Sequence, residues 1–228
     1  MTDSTFPCDA AVVGAPVVGV TFEEKRVLLL LDDGRALAAP LSWVGPTVAG
    51  MSPDERAKWV TTADGRGVNW PAAGQTSEDG ALNVWTLEQD ALFEEGLAAL
   101  TAAEWDAGAL SARERSLVAL WRLVADGYNG GLLQFLGNWG VPEVHAALAA
   151  LDESGAERTA TVVHEFWDVV GPIAASDEIS TMDDVYRAVS SGPIDLLDGV
   201  DERFWDAAEE LITRIPLTYG PAKSATRH

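Results

Sequence analysis

Cysteine, basic side chains and long hydrophobic runs are scarce in this sequence of 228 residues. Cys8 is the single cysteine, which excludes an internal disulfide and a metal cluster held by thiolates, and which is typical of a reducing compartment. The apolar run at residues 27–31 is far too short to span a bilayer. We therefore expect a soluble, cytoplasmic protein with no membrane partner.

The shortage of basic residues leaves a large negative charge. Acidic side chains outnumber Lys and Arg by 36 to 15, and the formal net charge is -21. Because each phosphate contact needs a nearby Lys or Arg, this excess argues against direct binding to nucleic acid or to anionic lipid. Residues 1–85 hold 11 acids and 6 bases, whereas residues 86–228 hold 25 acids and 9 bases. The charge is therefore concentrated in the C-terminal part.

The N-terminal part has strand-like patterns. Strands are predicted at residues 16–22, 26–31 and 35–41, with a short one at 68–70. Asp33-Gly34 predicts a tight hairpin turn, because Gly accepts the positive φ that such a turn needs. Ser52 and Glu55 form a capping-box pattern around Pro53, which predicts a short helix that ends near Trp59.

The pattern changes to helix after about residue 86. Helices are predicted at residues 87–105, 111–126, 132–136, 142–151, 156–170, 181–190 and 201–215. Gly171-Pro172 and Pro216 are expected to end two of them. The predicted fold class is α+β, with a small β-rich domain at residues 1–85 followed by an acidic, all-α helical bundle domain at residues 86–228.

Several short motifs in the N-terminal part occur in a characteristic order. They are DGR at 33–35, PLSW at 40–43, SPDERAKW at 52–59 and NWP at 69–71. This order resembles domain-of-unknown-function family 2442, a small bacterial domain, over roughly residues 14–85. Many members of that family are encoded beside small toxin–antitoxin partners, so the resemblance implies a link to such systems.

A second motif lies in the helical part. The segment YNGGLLQFLGN at 128–138 resembles the NGGF-x-QFF-x-N signature of domain-of-unknown-function family 4375. The resemblance covers about residues 100–219. The best-understood member of that family is an acidic, all-helical DNA mimic that binds a transcription factor in place of its operator. The resemblance therefore implies a basic DNA-binding protein as partner, and the family analogy allows a homodimer.

The signature residues are predicted to be structural. They are Asn129, Gly130, Gly131, Gln134, Phe135 and Asn138. The glycine pair allows a sharp turn and close helix approach, and Asn129 is a candidate cap for the helix that follows. Gln134 and Asn138 lie four residues apart on one helix face, where their amides are expected to bond buried backbone groups. The alternative is a pocket in which these amides bind a ligand.

Carboxylates near the C-terminus are the predicted partner-binding surface. They are Asp195, Asp198, Asp201, Glu202, Asp206, Glu209 and Glu210. On a helix, carboxylates at intervals of three or four are about 5–6 Å apart between Cβ atoms. Two such rows on one surface are needed to imitate duplex DNA, which carries one charge per roughly 1.7 Å of axis. A solvated acidic face remains the alternative, because like charges at about 6 Å in water repel by only about 0.7 kcal/mol.

No catalytic site, metal site or cofactor is predicted. His145 and His164 have no partner at metal-ligand spacing. The sequence contains no nucleophile elbow, phosphate-binding P-loop or dinucleotide-binding glycine motif. An enzyme would require Gln134 and Asn138 to line a deep cleft together with an acid.

Two binding functions follow from these patterns. The first is a non-enzymatic acidic module that occupies the nucleic-acid-binding surface of a regulator. The second is an immunity or antitoxin-like protein that neutralises a toxin-like protein by shape-complementary contact. For the second, the expected aromatic anchors are Trp43, Trp59 or Trp70.

Overall fold

A computed structural model describes residues 12–177, 179–192 and 197–222 of the chain. Cys8 and the predicted partner-binding Asp195 lie outside these residues. The architecture is α+β, as predicted, with two small antiparallel sheets in the N-terminal region and helices elsewhere. The chain divides into two compact units: a first unit of Met1–Leu92 with Tyr219–His228, and a second unit of Phe93–Thr218.

The first sheet is an antiparallel meander formed by the three strands that the sequence predicted. Strands β1 (Val17–Phe22), β2 (Arg26–Leu31) and β3 (Ala36–Pro40) pair antiparallel in the order β1-β2-β3. The turn between β2 and β3 contains Gly34 with φ of 80°, a conformation that favours glycine. The central strand β2 is buried at most of its positions, which explains its continuous run of apolar side chains.

A second, smaller sheet and four short helical elements complete the strand-rich part. A 3-10 turn at Leu41–Val44 is followed by α1 (Gly45–Gly50), α2 (Pro53–Arg56), β4 (Val60–Thr61), β5 (Gly67–Asn69), a 3-10 turn at Pro71–Ala73 and β6 (Leu82–Asn83). The capping box at Ser52 and Glu55 is present, but α2 ends at Arg56 and not near Trp59. The Arg56 carbonyl accepts a 2.9 Å hydrogen bond from Trp70 Nε1, so a buried side chain satisfies the group that would continue the helix.

The DGR turn also contains a buried ion network. Arg35 Nε donates to Asp33 at 2.6 Å and Arg35 Nη2 donates to Glu88 at 2.8 Å, and all three side chains are at most 4% exposed. Burial raises the pKa of Asp33, but the hydrogen bonds from the Val12 N–H and from Arg35 outweigh it, so the pKa is lowered overall. Arg35 Nη1 and Glu88 Oε2 are buried without a hydrogen-bond partner among the described residues.

The remaining elements are helices. They are α3 (Val84–Ala102), α4 (Ala112–Trp139), α5 (Val141–Ser154), α6 (Glu157–Ala174), α7 (Met182–Ser191), α8 (Val200–Ala208) and α9 (Leu211–Tyr219), with a 3-10 turn at Ala107–Ala109. Helix α4 packs on α5 and α8, and α6 packs on α5, α7 and α8. The predicted capping box at Ser111 and Glu114 begins α4. Among the helices of the described residues, none combines the length and the apolar character needed to cross a membrane.

Two predicted helix ends are wrong. Helix α6 continues through Pro172 to Ala174 because this proline is exposed in the last turn, and the ladder resumes with a 3.0 Å bond from Ala175 N to the Gly171 carbonyl. The single helix predicted at 201–215 is two helices, α8 and α9, and Pro216 lies inside α9. At the break, Thr159 of α6 donates to the Ala207 carbonyl and to the Glu210 carboxylate.

Candidate functional site

A glycine kink in α4 is the centre of the candidate site. The backbone is non-helical at Gly130 (φ -155°, ψ 15°) and at Gly131 (φ 84°, ψ 178°), so the predicted interruption is confirmed as a kink within α4. Beyond the kink, the Leu132 N–H donates a 2.9 Å hydrogen bond to the carboxylate of Asp201 in α8. A Cβ at Gly131 would overlap that carboxylate. Asp201 therefore caps the second part of α4, the role that the sequence assigned to Asn129, which is exposed.

The two amides of the signature bind one carboxylate. Gln134 Nε2 and Asn138 Nδ2 each donate to Asp126 Oδ1 at 2.9 Å, and Trp139 Nε1 donates to Asp126 Oδ2 at 2.5 Å. The partner is a side chain in the same helix and not the buried backbone group that was expected. These bonds join the part of α4 before the kink to the part after it. Phe135 of the same motif is fully buried.

A buried ion network lies next to these residues and was missed at the sequence level. Glu143 of α5 accepts from Arg115 at 2.9 and 2.5 Å and lies 3.0 Å from Arg122 Nη1. The guanidinium of Arg122 also stacks 3.8 Å above the Trp139 ring. Two arginines of α4 thus neutralise one acid of α5. Part of the charge of the second unit is therefore neutralised by ion pairs within that unit.

The predicted acidic residues separate into two classes. Asp201 caps α4, as described, and Glu210 accepts hydrogen bonds from Thr159 N at 2.8 Å and from Thr159 Oγ1 at 2.9 Å. Both side chains are half-buried. Because their carboxylates are occupied by intramolecular donors, neither is available to a partner without the loss of these bonds.

The other class is exposed. Asp198 lies in the turn before α8, Glu202 and Asp206 are exposed in α8, and Glu209 is exposed at its C-cap, at intervals of four and three residues. We call Glu202, Asp206 and Glu209 the α8 acidic stripe. Within residues 12–177, 179–192 and 197–222, no hydrogen bond or ion pair occupies the carboxylates of this stripe. Its length along the helix axis is about 10 Å, from a rise of about 1.5 Å per residue.

A basic residue limits the stripe on one side. Arg203 of α8 pairs with Glu165 of α6, and both side chains are 49% exposed. Beside this pair, a surface cavity of about 300 Å³ is lined by Glu165, Asp168 and Arg203 together with apolar residues. Charge on the α6 side of α8 is thus partly neutralised.

An aromatic pair borders the stripe at the kink. Tyr128 is 49% exposed and Trp205 is 40% exposed. Tyr128 Oη donates to the Trp205 carbonyl at 3.1 Å, and Trp205 Nε1 donates to the Gly127 carbonyl at 2.7 Å. Burial raises the pKa of the Tyr128 hydroxyl, and the charge of Glu209 raises it further. The negative charge of Glu209 therefore disfavours ionisation of the Tyr128 hydroxyl.

The three tryptophans expected as anchors of a shape-complementary interface have different environments. Trp70 is 1% exposed and belongs to the core of the first unit. Trp59 packs against that core and is half-buried. Trp43 is 43% exposed, so of these three residues it offers the largest ring surface to a partner.

His145 and His164 do not belong to a metal-binding cluster of the described residues. His145 packs edge-on against Trp167 at 5.1 Å between ring centroids, and His164 lies 4.0 Å from Asp152 at the surface. In the part of the chain that the structure describes, no group of three or more His, Cys, Asp or Glu side chains could hold a metal ion.

Comparison with protein families gives a match for each part of the chain. Residues 108–219 match the model of the DMP19-like protein family, a DNA-mimic family, and residues 17–76 match a protein family of unknown function, DUF2442. The N-terminal resemblance is confirmed, and the C-terminal match has the expected DNA-mimic character under a different family name. Neither is an enzyme family. No curated protein and no solved structure matches the chain.

Proposed function

We propose that the second unit binds a DNA-binding protein on the basic surface that this partner uses for DNA. The α8 acidic stripe makes the contact, and Asp198 extends it. Binding of the partner then competes with binding of DNA. The observation that carries the proposal is the exposure of Glu202, Asp206 and Glu209 on one helix face without an intramolecular partner in the described residues.

Electrostatics supports this surface as a binding site for a basic partner. The C-terminal 143 residues hold 25 acids and 9 bases, yet Asp201, Glu210 and Glu143 are occupied inside the fold. The stripe is thus a local excess of unpaired charge. A basic surface that approaches it gains long-range attraction and releases counterions, as the same surface does when it binds DNA phosphates.

The family match supports the class of partner. A DNA-mimic family matches the segment that contains both the α4 kink and α8. The Asp201 bond joins these two elements, so the signature motif fixes the helix that presents the stripe. This connection explains how a structural motif supports a surface function.

Affinity capture tests the proposal. The full-length chain is immobilised, proteins are captured from a bacterial lysate at low salt, and bound proteins are released with duplex DNA. We expect DNA-binding proteins in the released fraction. Neutralisation of the stripe by Glu202→Gln, Asp206→Asn and Glu209→Gln should reduce their capture by about tenfold, which corresponds to roughly 0.5 kcal/mol per carboxylate.

A matched variant controls for net charge. Glu24→Gln, Asp54→Asn and Glu78→Gln remove three carboxylates from exposed positions of the first unit. This variant should capture the same proteins as the wild-type chain. Equal loss in both variants would mean that only total charge matters. Capture of proteins that duplex DNA does not release would instead favour the immunity or antitoxin-like function.

A further inference from the structure

Tyr128 and Trp205 are both exposed side chains, although their polar groups are bound internally. The Tyr128 hydroxyl and the Trp205 indole N–H both donate to backbone carbonyls, at 3.1 and 2.7 Å. Exposed Tyr and Trp side chains usually direct these polar groups into water. The surface that the two rings offer to a partner is therefore mainly aromatic carbon.

The pair is held in a fixed geometry. Tyr128 packs against the fully buried Phe204, with 6.0 Å between ring centroids and 58° between ring planes. Gly127 makes this approach possible, because a Cβ at that position would overlap the Phe204 ring. Two hydrogen bonds and one ring contact thus hold both aromatic side chains, so little side-chain entropy is lost when a ligand binds them.

Negative charge lies next to the rings. Glu209, the C-cap residue of α8, is four residues after Trp205, and its charge raises the pKa of the Tyr128 hydroxyl. Asp206 directly follows Trp205 and is exposed. The protein already uses arginine–aromatic stacking internally, at Arg56 on Phe22, Arg66 on Trp85 and Arg122 on Trp139. Among the described residues, no such cation contact is found on Tyr128 or Trp205.

We propose that Tyr128, Trp205 and Glu209 form a receptor for an arginine side chain of the protein partner. The guanidinium stacks on the exposed rings, and the carboxylate of Glu209 neutralises its charge. Arginine fits better than lysine because its planar, weakly hydrated guanidinium stacks on aromatic faces and binds carboxylates in a fork geometry. This receptor deepens the proposed function, on which it rests: the stripe attracts basic surfaces, and the ring pair selects arginine among their side chains.

Two short basic peptides test the receptor, one with arginine and one with lysine at every basic position, and otherwise identical. Their affinities for the full-length chain are measured by fluorescence anisotropy of a label on the peptide. We expect the arginine peptide to bind about two- to fivefold more tightly for each ring that it contacts. Trp205→Leu and Tyr128→Leu should each reduce this preference, whereas Tyr128→Phe, which keeps the ring, should retain it.

Trp43→Leu is the matched control, because Trp43 has nearly the same exposure in the first unit. It should leave the preference unchanged. Far-UV circular dichroism and the thermal midpoint verify that each variant is folded. An equal affinity of the wild-type chain for both peptides would overturn the proposal, as would a loss of preference in Trp43→Leu but not in Trp205→Leu. A change from dimer to monomer in Trp205→Leu, seen by sedimentation velocity, would also overturn it, because a second copy would then cover the rings.

The stripe variant separates failure of the receptor from failure of the proposed function. Glu202→Gln, Asp206→Asn and Glu209→Gln together should weaken both peptides. If both peptides weaken but the wild-type chain has no arginine preference, the stripe is the binding surface and the receptor is wrong. If neither peptide weakens, the proposed function itself is wrong.

Discussion

Acidic side chains serve opposite purposes in the DGR turn of the first unit and on α8 of the second. Asp33 and Glu88 are almost completely buried and share one guanidinium, that of Arg35. Glu202, Asp206 and Glu209 are exposed and have no ion partner in the described residues. The first arrangement holds a hairpin on a helix, and the second leaves charge available for association. The difference shows that burial and partners, and not the acidic residue itself, decide whether a carboxylate is structural.

The same difference between hydrogen-bonded and exposed acids is found within α8. Asp201 and Glu202 are neighbours, yet Asp201 caps the Leu132 N–H and Glu202 is exposed to solvent. A helix turns by about 100° per residue, since it has 3.6 residues per turn. Two adjacent acids therefore point to different surroundings. Substitutions that disrupt one of these arrangements at a time show how far its stability depends on its charged side chains.

The largest effect is expected from Arg35→Met. This change leaves Asp33 and Glu88 buried and close together without a counter-charge, which typically costs about 3–5 kcal/mol. The free energy of local unfolding is measured by hydrogen exchange of peptides from β2 and β3 in the full-length chain. Arg26→Met is the control, because the Arg26–Glu23 pair is exposed and is expected to contribute only about 0–1 kcal/mol. Similar exchange in the two variants would contradict the structural role of the network.

A smaller effect is expected from Asp201→Ala. Loss of the cap on Leu132 should lower the stability of the second part of α4 by about 0.5–2 kcal/mol. Glu202→Ala, one residue later, should change it by no more than about 0.5 kcal/mol. Hydrogen exchange of residues 132–136 measures both. If Glu202→Ala destabilised α4 as much as Asp201→Ala does, the division of these acids into a structural and an exposed class would be wrong.

The smallest effect is a dependence on pH in the first unit. The pKa of Asp33 is lower in the folded state, so its stabilising contribution is complete above the unfolded value of about 3.9 and is lost as the pH falls through the folded value. Urea unfolding between about pH 5 and pH 2.5 measures this loss. The Asp33→Asn variant should show a shallower decline in unfolding free energy than the wild-type chain. An equally steep decline in the Asp33→Asn variant would show that Asp33 does not contribute to the pH dependence of stability.

Local patterns predicted most elements of the fold. The Asp33-Gly34 hairpin, the capping boxes and the glycine interruption depend on residues close in sequence, so they were visible without the structure. The helix ends at Pro172 and at the α8–α9 break were not. Pro172 is tolerated because it is exposed in a last turn, and the break depends on Thr159, which is distant in sequence.

The candidate site was less visible. Asp126 meets Gln134 and Asn138 only because α4 bends between them, and Glu143 meets Arg115 and Arg122 only because α5 packs on α4. The sequence could propose the acidic set as a whole, but it could not separate Asp201 and Glu210 from the exposed members. That separation depends on the tertiary partners Leu132 and Thr159. Helical periodicity does not reveal these partners, because they belong to other helices.

Salt dependence of partner binding tests the central claim most directly. The affinity for a DNA-binding protein captured by the chain is measured over a range of salt concentrations, for the wild-type chain and for the two triple variants. The exposed stripe predicts that wild-type affinity falls steeply with salt, and that Glu202→Gln, Asp206→Asn and Glu209→Gln together make the slope of log K against log salt shallower. The first-unit variant should keep the wild-type slope. A slope that is unchanged by neutralisation of the stripe would contradict the account.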